Sequence, residues 1–416
     1  MRARRLSARW ILPVDAPAVE HGALLIGPDG RIVAVGPEAL VPRPPGAPAE
    51  DFGNALLLPG LINTHTHLEL TGLEGGPDEP DFEAWIQRLR RAKATRSPEA
   101  FLHAARCGLA DCRAAGVTTV ADTGDSGAVI QALAEADGSG IAYHEVFGPH
   151  PDQCHESLAG LQRRVAELGR FAAGRVRIGV SPHAPYTVSG PLYAATAAWA
   201  RAQGLPIAVH LAESPAESAL LERGAGAFAD AWRRRGIPLP VPLGRTPVAW
   251  LDEHGVLLDR TLCIHVVQTG PEDVDRLARS GAAVAHCPLS NRAHGHGVAP
   301  LAALLSAGIR VGLGTDSTVS VGRLDLLAEA RAARALGGLG AARALALCTL
   351  EGARALGLDG EIGSLTPGKW GDCVILRPPH GPAGATPEAQ ILASGPRDVL
   401  ATFVGGRDVY RTSRPL

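Results

Sequence analysis

Residues 58–358 alternate eight short apolar segments with longer stretches rich in alanine, leucine and arginine. We expect strands at 58–63, 118–122, 141–147, 177–181, 206–210, 261–265, 282–286 and 310–314. The intervening stretches, such as FLHAARCGLADCRAAG and GPLYAATAAWARAQG, are typical of helices. This alternation predicts an α/β fold, a TIM-like (β/α)8 barrel, over residues 58–358. A doubly wound open sheet is the alternative, but no G-x-G-x-x-G phosphate loop follows an early strand, which favours the barrel.

The two ends of the chain have a different pattern. Residues 1–57 contain short alternating segments separated by turn signals such as the PDG of GALLIGPDG, and residues 359–416 contain similar segments around a Gly-Gly pair in VLATFVGGRDVYR. We therefore predict a small β-sandwich domain built from both termini, 1–57 and 359–416, beside the barrel of 58–358.

Charge and hydropathy limit the classes of partner. The net charge is −2 and no long basic run occurs, so we expect a small-molecule substrate and no nucleic-acid partner. No run of about 18 apolar residues occurs, and the first residues lack the apolar core of a signal peptide, so we expect no membrane association. The seven cysteines are odd in number and include no C-x-x-C pair, which is typical of free thiols in a cytoplasmic protein.

Polar residues follow six of the eight predicted strands. The first strand leads into the H-x-H of His65 and His67, whose side chains should share one face because alternate residues of a strand do. The other members are Glu145, His183, His210, Glu213, His265 and Asp316. Any one of them could be a hydrogen-bonded structural group. The carboxyl ends of barrel strands meet at one mouth, however, so the set together predicts a metal site.

The ordered segments PGLINTHTHLE, SPHAPYT, HLAE, CIH and LGTDS resemble the amidohydrolase superfamily, in its mononuclear deaminase and chlorohydrolase-like branch. The resemblance extends over essentially the whole chain, including the closing EIGSLTPGKWGD. It implies that His65, His67, His210 and Asp316 bind one divalent metal ion, zinc or alternatively iron. It also implies a homodimer, since relatives often pair.

The chemistry expected of this set is hydrolysis. A zinc ion lowers the pKa of water to about 7 and so supplies a nucleophile near neutral pH. Glu213, three residues after His210, is expected to carry a proton from water to the substrate ring and then to the leaving amine. His265 and Asp316 would orient the nucleophile. The alternative for Glu213 is an acid placed at a helix N-terminus by the helix dipole.

Two-metal relatives offer a further alternative. Some of them bridge the metals with a carboxylated lysine on strand four, but the only lysines, Lys93 and Lys369, lie outside that strand. Others bridge with a glutamate on strand three, where Glu145 lies. A single-metal site is favoured, and the glutamate-bridged site stays open.

Several further strings resemble aminodeoxyfutalosine deaminases and related adenosine-type deaminases, which replace the 6-amino group of a purine and release ammonia. These strings are HTHLELTGL, FEAWI, EVFG, GRTPVAWLDEHGVL and CPLSNRAHGHGVAPL. The predicted substrate-binding residues are His183, Trp85, Glu145, Asn291 and Arg292, with Phe82 and Ser290 as neighbours. Trp85 could stack on a flat ring, or FEAWI could be a helix face that packs on the barrel.

One segment departs from that resemblance. His294 and His296 in NRAHGHG stand where the resembling proteins carry apolar or small residues. Alternatives with the same metal core are therefore a guanine-type deaminase, a triazine-like chlorohydrolase and a ring-opening cyclic amide hydrolase. An inactive binding module is the alternative from another class, although such proteins generally lose metal ligands and this chain keeps them.

Overall fold

The computed structural model describes residues 2–73, 81–379 and 384–413 of the 416-residue chain. The strands in these ranges are β1 (Arg4–Ile11), β2 (Val19–Ile26), β3 (Ile32–Pro37), β4 (Ala49–Asp51), β5 (Leu56–Pro59), β6 (Leu61–Thr66), β7 (Val117–Gly124), β8 (Gly140–Val146), β9 (Val176–Pro182), β10 (Ile207–Leu211), β11 (Thr261–His265), β12 (Ala283–His286), β13 (Val311–Leu313), β14 (Cys373–Leu376), β15 (Val399–Val404) and β16 (Arg407–Arg411).

The helices are α1 (Phe82–Ala94), α2 (Pro98–Ala114), α3 (Ala128–Glu135), α4 (Cys154–Leu168), α5 (Gly190–Gln203), α6 (Pro215–Arg223), α7 (Ala227–Arg234), α8 (Pro247–Glu253), α9 (Pro271–Ser280), α10 (Pro288–Ala293), α11 (Leu301–Ser306), α12 (Thr318–Val321), α13 (Leu326–Gly337), α14 (Ala341–Leu347), α15 (Leu350–Ala355) and α16 (Pro387–Ala393). Single 3₁₀ turns occur at Leu68–Leu70, Pro151–Gln153, Gly169–Phe171 and Pro396–Asp398.

Strands β6 to β13 form one parallel sheet in which each strand pairs with the next along the chain. The first and last strands meet at a parallel bridge between Thr66 and Asp316, where the Asp316 N–H donates to the His65 carbonyl at 3.1 Å. The sheet therefore curls back on itself, and the predicted TIM-like barrel is confirmed. The closing contact also brings two predicted metal ligands together.

The strands of this sheet are buried because helices cover them on the outside and side chains fill the inside. Strand β10 shows the pattern: its sequence IAVHL is buried throughout, and His210 is its only polar residue. A parallel sheet covered on both faces favours such continuous apolar runs over alternation. The covering helices begin at defined caps, such as α2, where Ser97 Oγ accepts the Ala100 N–H and Pro98 occupies the first turn.

A second, mixed sheet is built from both ends of the chain, as the sequence predicts. Its order is β16-β15-β14-β5-β1-β2-β3, with β4 also paired to β1. The C-terminal strand β14 runs antiparallel to the N-terminal strand β5, so the two ends of the chain share one hydrogen-bonded layer. Its apolar side chains, including Leu6, Ile11, Leu24 and Phe403, form a core distinct from that of the barrel.

The predicted first barrel strand, 58–63, is divided between the two sheets. Leu58 lies in β5 of the mixed sheet, and the barrel strand β6 begins at Leu61 and continues to Thr66. The chain crosses at Gly60, where an added Cβ would lie 2.1 Å from Thr118 Oγ1, so only glycine fits against β7. The apolar run LLLPGLIN is continuous, and hydropathy alone does not mark the change of sheet.

Among the residues described, no helix is both long enough and apolar enough to cross a bilayer.

Candidate metal centre and active site

Four side chains at the carboxyl ends of three barrel strands face one point. His65 lies on β6 and His67 one residue beyond it, His210 lies near the end of β10, and Asp316 follows β13. The Nε2 atoms of His65 and His67 are each 3.5 Å from Asp316 Oδ1, and the Nε2 atoms of His67 and His210 are 3.3 Å apart. The structure thus brings together the four residues that the sequence predicts as metal ligands.

The contacts of His67 and His210 show which ring nitrogen of each carries the proton. The two rings are nearly parallel, and their Nδ1 atoms lie 2.8 Å from the Thr123 carbonyl oxygen and 3.1 Å from the His183 carbonyl oxygen. A carbonyl can only accept, so each Nδ1 carries the proton and each Nε2 presents a lone pair. Burial lowers the pKa of His67 to about 3 and that of His210 well below its usual value, so both rings are neutral. Two lone pairs face each other at 3.3 Å.

A divalent cation between the two nitrogens would remove that repulsion. Two nitrogen ligands about 2.0–2.1 Å from one tetrahedral zinc ion lie about 3.3–3.4 Å apart, which matches the separation found here. His65 Nε2 is buried and has no hydrogen-bond partner within the described ranges. Ser290 Oγ donates to Asp316 Oδ2 at 2.6 Å, and Asp316 Oδ1, which faces the histidine nitrogens, is left as a ligand for a cation. The donor set of three imidazoles and one carboxylate therefore fits a single divalent ion.

The charge on Asp316 favours the same ion. Burial by itself would raise the pKa of this carboxyl group, but His65 and His67 outweigh burial and hold it well below its usual value. Asp316 is therefore an anion near the neutral rings of His67 and His210. A carboxylate surrounded by imidazole lone pairs attracts a cation and repels an anion.

The backbone is strained at the strand ends that carry these groups. His265 and Asp316 have φ angles of 73° and 59°, and Ala212 has 51°, all in the left-handed region. Each such residue costs about 1–3 kcal/mol, and strain of this kind persists where surrounding contacts over-determine it, which is common at functional sites.

Three buried residues that the sequence analysis missed hold this geometry. Asp122 accepts the Leu68 N–H at 2.7 Å and the Thr66 hydroxyl at 2.8 Å, so it fixes the chain around His67. Asn63 bonds both the hydroxyl and the N–H of Thr315, one residue before Asp316. Asp122 lies in β7, which the sequence marks only as an apolar strand. Asn63 lies in β6, where the histidines at the strand end are the more conspicuous signal.

Glu217 is the third. Its carboxylate accepts the N–H groups of Ala212 at 2.7 Å and of Glu213 at 3.0 Å. Ser214 caps the helix that carries it, and the spacing of Ser214 and Glu217 is the S-x-x-E signal of a capped helix start. This signal is visible in the sequence and predicts the start of the helix. It does not predict that the Glu217 carboxylate accepts the N–H groups of residues 212 and 213.

Glu213 lies beside the four predicted ligands. Its Oε1 is 3.4 Å from His265 Nε2 and 3.7 Å from His296 Nδ1, and its Oε2 accepts the Tyr186 hydroxyl at 3.3 Å. Burial, with the nearby charges of Asp316 and Glu217, raises the pKa of Glu213 well above its usual value. A carboxyl group with a raised pKa can hold a proton near neutral pH, as a proton carrier must.

A cavity of about 570 Å³ opens above this centre. His67, His210, Glu213 and Asp316 line its inner end, and aromatic side chains line its walls, among them Phe82, Trp85, Phe147 and Tyr186. The volume and the mixture of apolar walls with a few polar groups are typical of small-molecule sites.

A charged group that the sequence analysis did not anticipate lines the same cavity. Lys93, on α1, is 3.0 Å from Glu69 Oε1 and 2.6 Å from Asp125 Oδ1. Burial would lower its pKa, but these carboxylates outweigh burial and raise it. The sequence excludes Lys93 as a metal bridge but does not predict this contact, because Lys93 and Asp125 are far apart along the chain.

Glu145 and His183 face each other on the cavity wall, with 4.0 Å between Oε1 and Nε2. Glu145 Oε1 is buried and lacks a hydrogen-bond partner in the part of the chain described. Potential ligand atoms of Glu145, His183 and His210 also lie within 4.8 Å of one another, so the glutamate-bridged alternative keeps a geometric basis.

The remaining predicted substrate residues occupy different places. Trp85 lines the cavity and stacks at 5.7 Å on Phe82. Asn291 is buried and its Oδ1 accepts a hydrogen bond from His265 Nδ1–H at 2.8 Å, so it contacts a site residue. Arg292 is exposed and is not among the described residues that line the cavity. His294 lines the cavity 4.5 Å from the Trp85 ring.

Comparison with known proteins identifies the family of this chain. The model of the amidohydrolase family matches residues 56–409. A 5-methylthioadenosine/S-adenosylhomocysteine deaminase of Symbiobacterium thermophilum is 31% identical, over 96% of this chain and 92% of its own length. An aminodeoxyfutalosine deaminase of Deinococcus radiodurans is 34% identical over 76% of each chain.

Among solved structures, an adenosine deaminase from Xanthomonas campestris with bound zinc superimposes with a TM-score of 0.82 and 26% identity, covering 97% of this chain and 92% of that one. The family resemblance predicted from the motifs is therefore confirmed.

Proposed function

Because this chain belongs to the amidohydrolase family, we propose that it is a metal-dependent hydrolase of C–N bonds that deaminates an aminopurine ring of the adenosine type. The relatives that support this substrate class are deaminases of adenosine derivatives. Aminodeoxyfutalosine is the specific substrate favoured by the sequence motifs.

One observation carries the proposal: Glu213, a buried carboxyl group with a raised pKa, lies near three imidazoles and Asp316 at the inner end of an aromatic cavity. A structural metal site would be closed by its protein ligands, whereas a catalytic site keeps a position open toward substrate. Here the ligand set borders the cavity, which favours catalysis.

The ion would be held by His65, His67, His210 and Asp316, and it would supply a water activated for attack near neutral pH. Glu213 takes a proton from the attacking water and delivers it to the adjacent ring nitrogen, so that the carbon bearing the amino group becomes tetrahedral. Glu213 then takes the proton of the newly added hydroxyl group and delivers it to the amino group, so that the C–N bond breaks, ammonia leaves and the ring carbon becomes a carbonyl. His265 presents the Nε2 lone pair toward this position, because Asn291 fixes its proton on Nδ1.

Substrate binding follows from the cavity walls. We assign Trp85 and Phe82 to stacking on the purine, since aromatic faces bind bases with little sequence preference. Glu145 and His183 would contact polar groups of the substrate, because Glu145 Oε1 is buried and unsatisfied within the described chain. Asn291 would act through His265, and Arg292 would reach only a group that extends out of the cavity.

We also propose the identity of the metal ion, the cellular location and the oligomeric state. The ion is zinc, which suits three imidazoles and one carboxylate and occurs in the Xanthomonas relative. The protein is cytoplasmic, in keeping with seven free cysteines. It forms a homodimer, which light scattering would test.

Ammonia release from a panel of aminopurines, their nucleosides and aminodeoxyfutalosine tests the proposal. We expect release from at least one adenine nucleoside, loss of release after chelation, and recovery on addition of zinc. No release by metal-loaded protein across the panel would contradict deamination and would favour dehalogenating or ring-opening chemistry. Absence of bound metal would favour the inactive binding module.

A further inference from the structure

His296 is a buried imidazole without an obvious structural purpose. It is 3% exposed, and both ring nitrogens lack a hydrogen-bond partner in the described ranges. A buried polar group that stays unpaired destabilises the fold, so the position calls for a functional explanation.

The backbone holds the ring in one place. The His296 N–H donates to the Asn291 carbonyl at 2.9 Å, and the His296 carbonyl accepts from the Gln268 side chain. The ring meets Phe82 edge-on at 4.4 Å and stacks against His294 at 5.2 Å. In this position His296 Nδ1 is 3.7 Å from Glu213 Oε1.

The other described side chains that contact Glu213 do not donate to that oxygen. Tyr186 donates to Oε2. His265 lies 3.4 Å from Oε1, but its proton is on Nδ1, bonded to Asn291 Oδ1, so the Nε2 that faces Glu213 is a lone pair. Of the two described imidazoles near Oε1, His296 is the one whose ring nitrogens have no other hydrogen-bond partner, so it is the protein group free to donate to an ionised Glu213.

We propose that His296 is a positioning residue that donates from Nδ1 to Glu213 Oε1 and holds the carboxylate between His265 and the substrate ring. This inference rests on the proposed function of Glu213 as the proton carrier. The contact shortens when substrate fills the cavity, as catalytic hydrogen bonds commonly do. Burial lowers the pKa of His296 to about 3, so the ring is neutral and has one N–H to give.

Three substitutions separate positioning from packing. His296→Asn places an amide N–H where Nδ1 lies, His296→Gln places it farther out, and His296→Leu has no donor. We expect Leu and Gln to lower kcat by about 10- to 100-fold with KM changed by less than about threefold, in line with the loss of one hydrogen bond to a charged group. Asn should recover kcat to within a few-fold of the unsubstituted protein. The variants are compared at equal metal content.

His294→Leu is the matched control. His294 is in the same loop and lines the same cavity, but its polar partner is Ser320 at 3.2 Å. We expect this variant to change KM more than kcat. Equal losses of kcat in the Asn, Gln and Leu variants of His296, or an unchanged kcat in His296→Leu, would overturn the proposal.

The tautomer can be measured without turnover. In ¹⁵N NMR spectra of histidine-labelled, zinc-loaded protein, His296 should carry its proton on Nδ1, and a proton on Nε2 would overturn the proposal. This result separates failure of the inference from failure of the proposed function, which the ammonia assay tests on its own.

Discussion

The carboxylate of Glu217 accepts the backbone N–H of Glu213 at 3.0 Å. The same carboxylate accepts the N–H of Ala212, whose φ of 51° lies in the left-handed region. One buried side chain therefore stabilises a strained turn and fixes the backbone of Glu213, the proposed proton carrier. The turn connects a predicted metal ligand, His210, to Glu213 within three residues.

Glu217→Gln should lower both stability and turnover. An amide has one acceptor oxygen, so its NH2 group would face a backbone N–H and one of the two bonds would be lost. We expect the free energy of unfolding to fall by about 1–3 kcal/mol and kcat to fall with it. Urea denaturation and steady-state kinetics measure the two effects. Glu222→Gln, on the same helix but partly exposed, is the control and should stay within about 0.5 kcal/mol.

Glu213→Gln should keep the metal and lose most turnover. The amide preserves the size of the side chain but cannot carry a proton between water and the ring. Since Glu213 is outside the ligand set, metal content should stay near one equivalent while kcat falls by about 100-fold or more. Steady-state kinetics and metal analysis of one preparation measure the loss of kcat and the retained metal content. Retained kcat would remove Glu213 from its assigned role.

His210→Ala should lose the metal. Its Nε2 lies 3.3 Å from that of His67, and its removal leaves two imidazoles and one carboxylate. We expect metal content well below one equivalent by elemental analysis after dialysis. His183→Ala is the control, because its ring approaches His210 at 4.7 Å but lies outside the ligand set. Loss of metal in His183→Ala alone would place the ion at the Glu145 site instead.

Trp85→Ala should weaken substrate binding if the ring stacks on a purine. A stacked base is worth about 1–3 kcal/mol, so KM should rise by about 5- to 150-fold, while Trp85→Phe should keep most of the affinity. Substrate titration and thermal melts distinguish this from packing. An unchanged KM with a lowered melting temperature would favour the alternative in which FEAWI is a helix face packed on the barrel.

The sequence was most informative where polar residues follow the predicted strands of the strand–helix alternation. The alternation of strands and helices predicts the barrel, and residues at carboxyl ends such as His65 and Asp316 converge because parallel strands end at one edge. The strand boundary at Gly60 was missed, because the apolar run continues from one sheet into the other.

Contacts between distant residues were the least predictable. The approach of Lys93 to Asp125, and of His296 to Glu213, depends on where loops and helix α1 lie above the barrel. Local periodicity carries no information on such positions. Asn291 shows the same limit, since the sequence places it in a loop near substrate and the structure places its side chain against His265.

Anomalous X-ray scattering at the zinc edge from crystals of the zinc-loaded protein tests the central claim most directly. We expect a single peak bonded to His65, His67, His210 and Asp316 at about 2.0–2.2 Å, with one position open toward the cavity. No peak among these four side chains, or a second ion bridged to the first through Glu145, would contradict a single-metal deaminase.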